Sequence, residues 1–424
     1  MTSRERVTRA LNHQEPDRLP LDLGGSATTG MQVSSVYLLR QALKLDPPGT
    51  PVKVVEPYQM LGEIKPDLRE ALGVDVVQLP GPRNMFGFRN EGWKPWTLFD
   101  GTPVLVPEAF NAAPELDGSI LMYPEGDKSV PPSARMPKDG FYFDSITRQE
   151  PIDDAKLNPE DNLEEFGPIS NADLAHFGRE SERLFNETDK AILANFGGTA
   201  FGDIALVPAP WLKHPKGIRA VEEWYVSTVT RRDYIYRVFE QQCEIALANL
   251  KKIHEVVGNR VTAVFVTGTD FGAQRGSFIS PKAYRDLFMP FHQAINGWIH
   301  QSTTWKSFIH SCGSVWNLYP HFIEAGFDIH NPVQCSAANM EPRRLKETYG
   351  DRITFWGGGV DTQRTLPFGT PDEVRAEVRE RIRTFGRSGG FVFNTTHNVQ
   401  ARIPKENLLA LYETVRECGK YPLN

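Results

Sequence analysis

Short apolar runs, each closed by a glycine, a proline or a polar turn, recur along this chain. They alternate with longer stretches of three- and four-residue hydrophobic spacing. Eight such runs lie outside residues 81–150: RLPLDL (18–23), VDVVQL (74–79), AILANF (191–196), TAVFVT (262–267), SFIHSC (307–312), FDIHN (327–331), ITFWG (353–357) and FVFNT (391–395). Their β-branched and aromatic content predicts strands. Their near-continuous apolarity is that of buried parallel strands rather than antiparallel strands with one wet face. Between them, residues 233–257 repeat apolar side chains at helical spacing. Residues 281–300 open with Pro281 after Ser280, and residues 371–385 with Pro371 after Thr370. Both are helix starts, and Thr370 with Glu373 matches a capping box. Eight strands alternating with helices predict an α/β fold of the (β/α)8 TIM-barrel type. A doubly wound sheet is the competing arrangement, but no G-x-G-x-x-G follows the first run.

Residues 81–150 break the pattern. They are rich in Gly, Pro and aromatic side chains, with short alternating runs such as TPVLVP. A structureless loop of this length is uncommon, so the segment is expected to form hairpins inserted into a single barrel domain of residues 1–424. Two roles stand side by side: a cap over one face that helps to exclude water, or an insertion serving oligomer contacts.

Composition narrows the class of protein. The 424 residues are 40% hydrophobic and 24% charged, ordinary globular values that exclude collagen-like and coiled-coil sequences. No run approaches the ~18 apolar residues of a membrane span, and the polar, basic N-terminus does not read as a secretory signal. A net charge of −6 without a basic block argues against nucleic acid as a partner. Four cysteines make no disulfide framework at this length. The expectation is a cytoplasmic enzyme acting on a small molecule, with an oligomer possible.

Barrel enzymes gather their active sites at the C-terminal ends of the strands. The residues that follow each run are therefore the candidates. They are Asp22; Gly197-Gly198; Asp270, Gln274 and Arg275; His310 and Cys312; Asn331 and Gln334; Asp361 and Gln363; and His397, Asn398 and Gln400. His310 and Cys312 are the sharpest pair, because side chains at i and i+2 on a strand share a face. An imidazole nitrogen and a thiolate so placed suit zinc. A buried cysteine beside a hydrogen-bonded histidine in a packed barrel is the plainer reading. Cys243 falls in a helical pattern and is expected in the core, and Cys418 is expected to be incidental. Cys335 offers no C-x-x-C partner for redox chemistry. Gly357–Gly359 could cradle an anion through backbone amides or could make a tight turn.

Several stretches resemble the uroporphyrinogen decarboxylase superfamily, which also holds zinc- and corrinoid-dependent methyltransferases. They are TSRERVTRALNHQEPDRLPLDLGG, TDFGAQRGSFISPKAYRDLFMPFHQAI, FIHSCGSVWNLYPHFIEAGFDIHNPVQ, FWGGGVDTQRTLPFGTPDEVRAEV and GGFVFNTTHNVQARIPKENLLAL, in the family's order. The resemblance implies a (β/α)8 barrel with its site at the strand mouth. The porphyrin decarboxylases carry an R-x-A-G-R motif near the N-terminus that grips substrate carboxylates. The corresponding place here reads GGSATTG, without an arginine. The methyltransferase branch has H-x-C and, much later, a cysteine at the end of the last strand. His310 and Cys312 match the first part, and His397 stands at the third place.

The resemblance thus implies zinc held by His310 and Cys312, with His397 as third ligand or none. Asp270 is a further ligand or an orienter. Gln274, Asn331, Gln334, Asp361, Gln363 and Asn398 are candidate substrate contacts. A corrinoid would arrive on a separate partner protein, since the chain shows no corrinoid-binding domain. Two other readings remain. One is a metal-independent decarboxylase of a smaller acid, with Asp270 and His397 as acid/base groups and Arg275 as carboxylate anchor. The other is a barrel that binds a ligand or a corrinoid partner without turnover.

Overall fold

Seven of the eight apolar runs pair side by side in the order in which they occur. In the computed structural model, which describes residues 1–423, they form one parallel sheet. Its strands are β1 (Val76–Leu79), β2 (Ala191–Ala194), β3 (Ala263–Thr267), β4 (Lys306–His310), β5 (Ile329–Asn331), β6 (Thr354–Trp356) and β7 (Phe391–Val392). Registers such as Phe308↔Ile329 and His310↔Asn331 bring the strand ends level.

The run at 18–23 differs from expectation. It forms no regular strand, only isolated bridges such as Leu21↔Phe393. Pro20 has no N–H to donate, and the N–H of Leu21 goes to the Asp75 carboxylate instead of a ladder carbonyl (3.0 Å). The segment still fills the eighth position. Phe393 N–H donates to Pro20 O and Asp22 N–H to Phe393 O, while Asp75 N–H donates to Leu21 O, all at 2.8 Å. The two edges of the sheet are thereby joined, and the predicted (β/α)8 barrel is the observed fold.

The strands are buried along their length, as their composition requires. Leu193, Phe265, Phe308, Ile329 and Trp356 pack with Val7 and Leu11 of the helix Ser3–Leu11. That helix bonds to Asp189 and Gly390, which precede β2 and β7, so it plugs the N-terminal end of the barrel. The site is left to the other end.

Helix starts follow their local chemistry. Thr370 and Glu373 form the expected capping box on Pro371–Phe385. The long predicted helix is observed as Arg232–Val257. The pattern at 281–300 is two helices, Pro281–Leu287 and Met289–Ser302, broken at Phe288. Pro290 is the cause, because its ring opposes the carbonyl of Asp286 one turn back.

Residues 81–150 carry antiparallel strands, among them Lys94–Thr97 with Pro103–Val106 and Ile120–Met122 with Ala134–Met136. Pro103–Val106 also pairs with Val52–Glu56, upstream of the first barrel strand. Phe143 packs on Phe86 and Phe110 at 5.7 and 5.9 Å, giving the insertion a small aromatic core.

Asp75 is fully buried and holds both Arg6 (2.7 Å) and Arg18 (2.7 and 2.8 Å) in addition to Leu21 N–H. Asp75→Ala leaves the buried Arg6 guanidinium without this partner. It is expected to lower the unfolding free energy by about 3–5 kcal/mol, read by chemical denaturation.

Candidate functional site

A cavity of roughly 1360 Å³ opens over the C-terminal ends of the strands. Its wall includes Asp203, Asp270, His310 and His397 from the barrel, and Glu56, Tyr58 and Phe141–Asp144 from segments outside the barrel sheet. The His310, Cys312 and His397 donor atoms lie within 4.8 Å of one another.

His310 is the last residue of β4, and Cys312 already lies in the loop beyond it. The shared strand face expected for the pair is therefore corrected: the loop, not the strand, aims the thiol. Asp270 Oδ1 accepts the Cys312 N–H (2.6 Å). Gly313 adopts φ +82° and lies against Gly272 so closely that a Cβ would stand 2.5 Å from that backbone. Only glycine permits this approach. The result brings Cys312 Sγ to 3.5 Å from His310 Nε2.

The other ring nitrogen of His310 is fixed from behind. Its Nδ1 donates to Asn331 Oδ1 (2.6 Å), and the Asn331 Nδ2 donates to the Trp356 carbonyl (2.8 Å), which sets the amide orientation. The Thr28 hydroxyl also donates to this oxygen (3.3 Å). His310 thus presents an unprotonated Nε2 to the thiol. Burial pushes its pKa down to about 4, so the ring is neutral near pH 7. His397 is likewise lowered to about 4, by burial and by the neighbouring His310.

The thiol stands in the opposite condition. Burial, with the nearby Asp270 carboxylate, raises the Cys312 pKa well above its ordinary value, so the bare side chain is a thiol. A zinc ion would invert this by coordinating the thiolate. The donor geometry suits such an ion: Zn–N near 2.0 Å and Zn–S near 2.3 Å at a tetrahedral angle place the two donors about 3.5 Å apart.

Several sequence-derived candidates do other work. Asn331 is fully buried behind His310 and cannot meet a substrate there. Gln334 Oε1 accepts Gly313 N–H, its Nε2 donates to Gln274 Oε1, and Gln274 Nε2 donates to Ser336 O, so both amides clamp loops. Asp361 caps a turn through Gln363 N–H and Arg364 N–H, and Gln363 itself is exposed. Asn398 is buried between Gly30 N–H, Ala27 O and Gln59. None of these six, nor the exposed Arg275, lines the cavity. The physical reason is common to them: crossing strand-end loops leave backbone groups that nearby amides must satisfy. The glycine run makes a tight turn, with Gly358 at φ +79° and a Cβ position only 2.6 Å from Val333 O. Cys243 lies in the core as expected, and Cys335 and Cys418 are half-buried.

The cavity also contains groups that sequence reading passed over. Asp203 is 8% exposed and accepts Ala205 N–H (2.9 Å); burial, with the charge of Asp270, pushes its pKa up to about 7. Glu56 accepts Tyr58 N–H (3.0 Å) and Gln59 N–H (2.7 Å), and burial raises it to about 7. Outside the lining, the Tyr225 hydroxyl donates to the main-chain oxygen of Asp270 (2.5 Å). Asp203 follows a glycine pair at a strand end, which was a signal. Glu56 stands in a segment that precedes the barrel strands, where no local pattern marks it. Each carboxylate is held by backbone N–H groups rather than by a cation. Arg219, the buried guanidinium of the wall, is engaged by both oxygens of Glu165 (2.8 and 3.1 Å).

A TIM-type barrel with a deep mouth and a convergent His–Cys–His group is the class of protein that fold and site define. The uroporphyrinogen decarboxylase family model matches residues 230–418. The match is to the later part of the chain, and the superfamily resemblance of its sequence is borne out at that level. Uroporphyrinogen decarboxylase from Psychromonas ingrahamii is 24% identical over 150 residues, 34% of this chain and 39% of the relative. That from Pelodictyon phaeoclathratiforme is 35% identical over 77 residues, 18% and 21% of the two chains. The matches thus span about a fifth to two fifths of these relatives. A methyltransferase from Methanosarcina mazei has the same fold, with a TM-score of 0.56 at 15% identity over 98% of this chain and 99% of that one. Among the described residues no helix is long and apolar enough to cross a membrane.

Asp203 gives a pH signature. Its folded pKa lies above the unfolded value of 3.8, so its stabilising contribution is complete below about pH 4 and lost as pH rises through about 7. Over that window Asp203→Asn, which cannot ionise, is expected to gain roughly 3–4 kcal/mol of unfolding free energy relative to the wild type. Denaturant titrations at several pH values measure this.

Proposed function

We propose that this chain is a zinc-dependent methyltransferase or demethylase-like enzyme. It would move a methyl group from a small methylated substrate, or from a corrinoid on a partner protein, to a thiol or similar acceptor. The observation that carries the reading is the 3.5 Å pairing of His310 Nε2 with Cys312 Sγ, beside the cavity that His310 and His397 line. The like-folded Methanosarcina mazei protein, itself a methyltransferase, is in line with it. When bound, zinc would supply a Lewis-acid centre that keeps an acceptor thiol deprotonated at neutral pH.

The chain's own residues prepare that centre. Asn331 holds His310 with its lone pair forward, Asp270 and Gly313 hold Cys312 in place, and His397 stands beside both. Tyr58 and, from the inserted segment, Phe143 supply apolar surface to the cavity wall, which lowers the water content around a reacting group. The charge of the wall counts against the decarboxylase alternative. A carboxylate substrate needs guanidinium donors; of the three in this wall, Arg219 is engaged by Glu165 and Arg402 lies over the Phe141 ring, which leaves Arg83 against the carboxylates of Glu56, Asp203 and Asp270.

Metal analysis of the purified full chain is expected to find about one zinc per chain in the wild type and a loss in His310→Ala and Cys312→Ser. Methyl transfer in those variants is expected to fall at least about 100-fold. A metal-free wild type with an intact fold would sink the proposal.

A further inference from the structure

His310 and His397 face one another with ring centroids 5.3 Å apart, yet different partners engage them. His310 gives its Nδ1 proton to Asn331 Oδ1 (2.6 Å). His397 does the reverse: its Nδ1 accepts the main-chain N–H of Asn398 (2.8 Å). A neutral imidazole has one N–H and one lone pair, so the partner of one nitrogen decides the state of the other. In His310 the bare nitrogen is Nε2, which faces Cys312. In His397 the lone pair of Nδ1 is already engaged, and the proton must sit on Nε2. A protonated nitrogen cannot coordinate a metal.

We propose that the two histidines are held in opposite tautomers, so that His310 is a metal ligand while His397 is a hydrogen-bond donor to the bound substrate and not the third ligand. The role given to His310 rests on the zinc reading above; the tautomer of His397 does not. The ligand class follows from the donor. A ligand end bearing a lone pair, such as an ether, alcohol or thioether heteroatom, gains a hydrogen bond at His397, whereas a quaternary ammonium group has nothing to accept it with.

Three features argue that the wiring is built in. Asn331 is locked by Trp356 and Thr28, so it cannot readily offer its amide nitrogen to His310 instead. Asn398 is itself held by Gly30, Ala27 and Gln59, which fixes the backbone segment that bonds His397. Both His310 and His397 line the cavity, so the contrast between them falls where a ligand binds.

The test uses the full-length protein and two independent readouts. Long-range ¹H–¹⁵N spectra of the metal-free chain, with the two rings assigned from His310→Ala and His397→Ala, are expected to show Nδ1–H for His310 and Nε2–H for His397. Cobalt(II) titration, followed by thiolate-to-metal absorption and chelator competition, is expected to lose at least about 100-fold in affinity in His310→Ala and Cys312→Ser. It should change by less than about 3-fold in His397→Ala and His397→Gln. Circular dichroism verifies that each variant is folded, and His397→Gln guards against a cavity effect of the alanine. A proton on Nδ1 of His397, or a loss of cobalt in the His397 variants as complete as in His310→Ala, overturns the assignment. A wild type that binds no metal defeats the zinc reading, and the tautomer spectra then decide the wiring by themselves.

Discussion

The Asp75 carboxylate is the constraint on which the architecture depends. A barrel must join its first and last strands, and here the first segment cannot complete a ladder because it contains Pro20. Asp75 takes the neighbouring Leu21 N–H with its own side chain in place of a ladder carbonyl, and draws Arg6 and Arg18 onto the same oxygens. One buried anion thereby fixes the plug helix, the closing segment and β1 relative to one another. Such an arrangement is strong only while all partners are present, since removing one leaves an uncompensated charge in a medium that solvates it poorly.

Closure at that end leaves the opposite end for chemistry, where the same scarcity of water governs behaviour. Burial lowers the pKa of His310 and His397 and raises those of Cys312, Asp203 and Glu56, favouring neutral forms throughout. On the zinc reading, a bound metal would reverse the preference of the thiol and give the surrounding carboxylates a partner. Asn331 supplies the directional part. By bridging His310 and the Trp356 carbonyl it converts the regular spacing of β4, β5 and β6 into a defined orientation of one ring.

Legibility in the sequence followed the range of the interaction. The helix at Pro371–Phe385 could be read because its capping box spans three residues, whereas the break near Phe288 was missed although Pro290 marks it. The run at 18–23 was misread as a regular strand because its decisive partner, Asp75, is remote in sequence and acts through a side chain. His310 and Cys312 were found from their spacing and their place after a strand, although the loop turned out to carry the cysteine. Asn331 was found as a strand-end amide but given a substrate's company, since nothing in its neighbours announces that it lies behind His310. Glu56 escaped notice because it stands before the barrel strands, in a segment placed by its pairing with Leu61–Gly62 and Pro103–Val106.

The sequence by itself determined the alternation of strands and helices, hence the barrel, and placed histidine, cysteine and carboxylate groups at the ends of strands. These are consequences of short-range periodicity and capping. Only the tertiary structure decided which strand-end groups reach the cavity, which ones clamp a neighbouring loop, and which nitrogen each histidine presents. Those outcomes depend on hydrogen-bond partners brought together from distant parts of the chain, and a buried polar group takes its role from the partner that satisfies it.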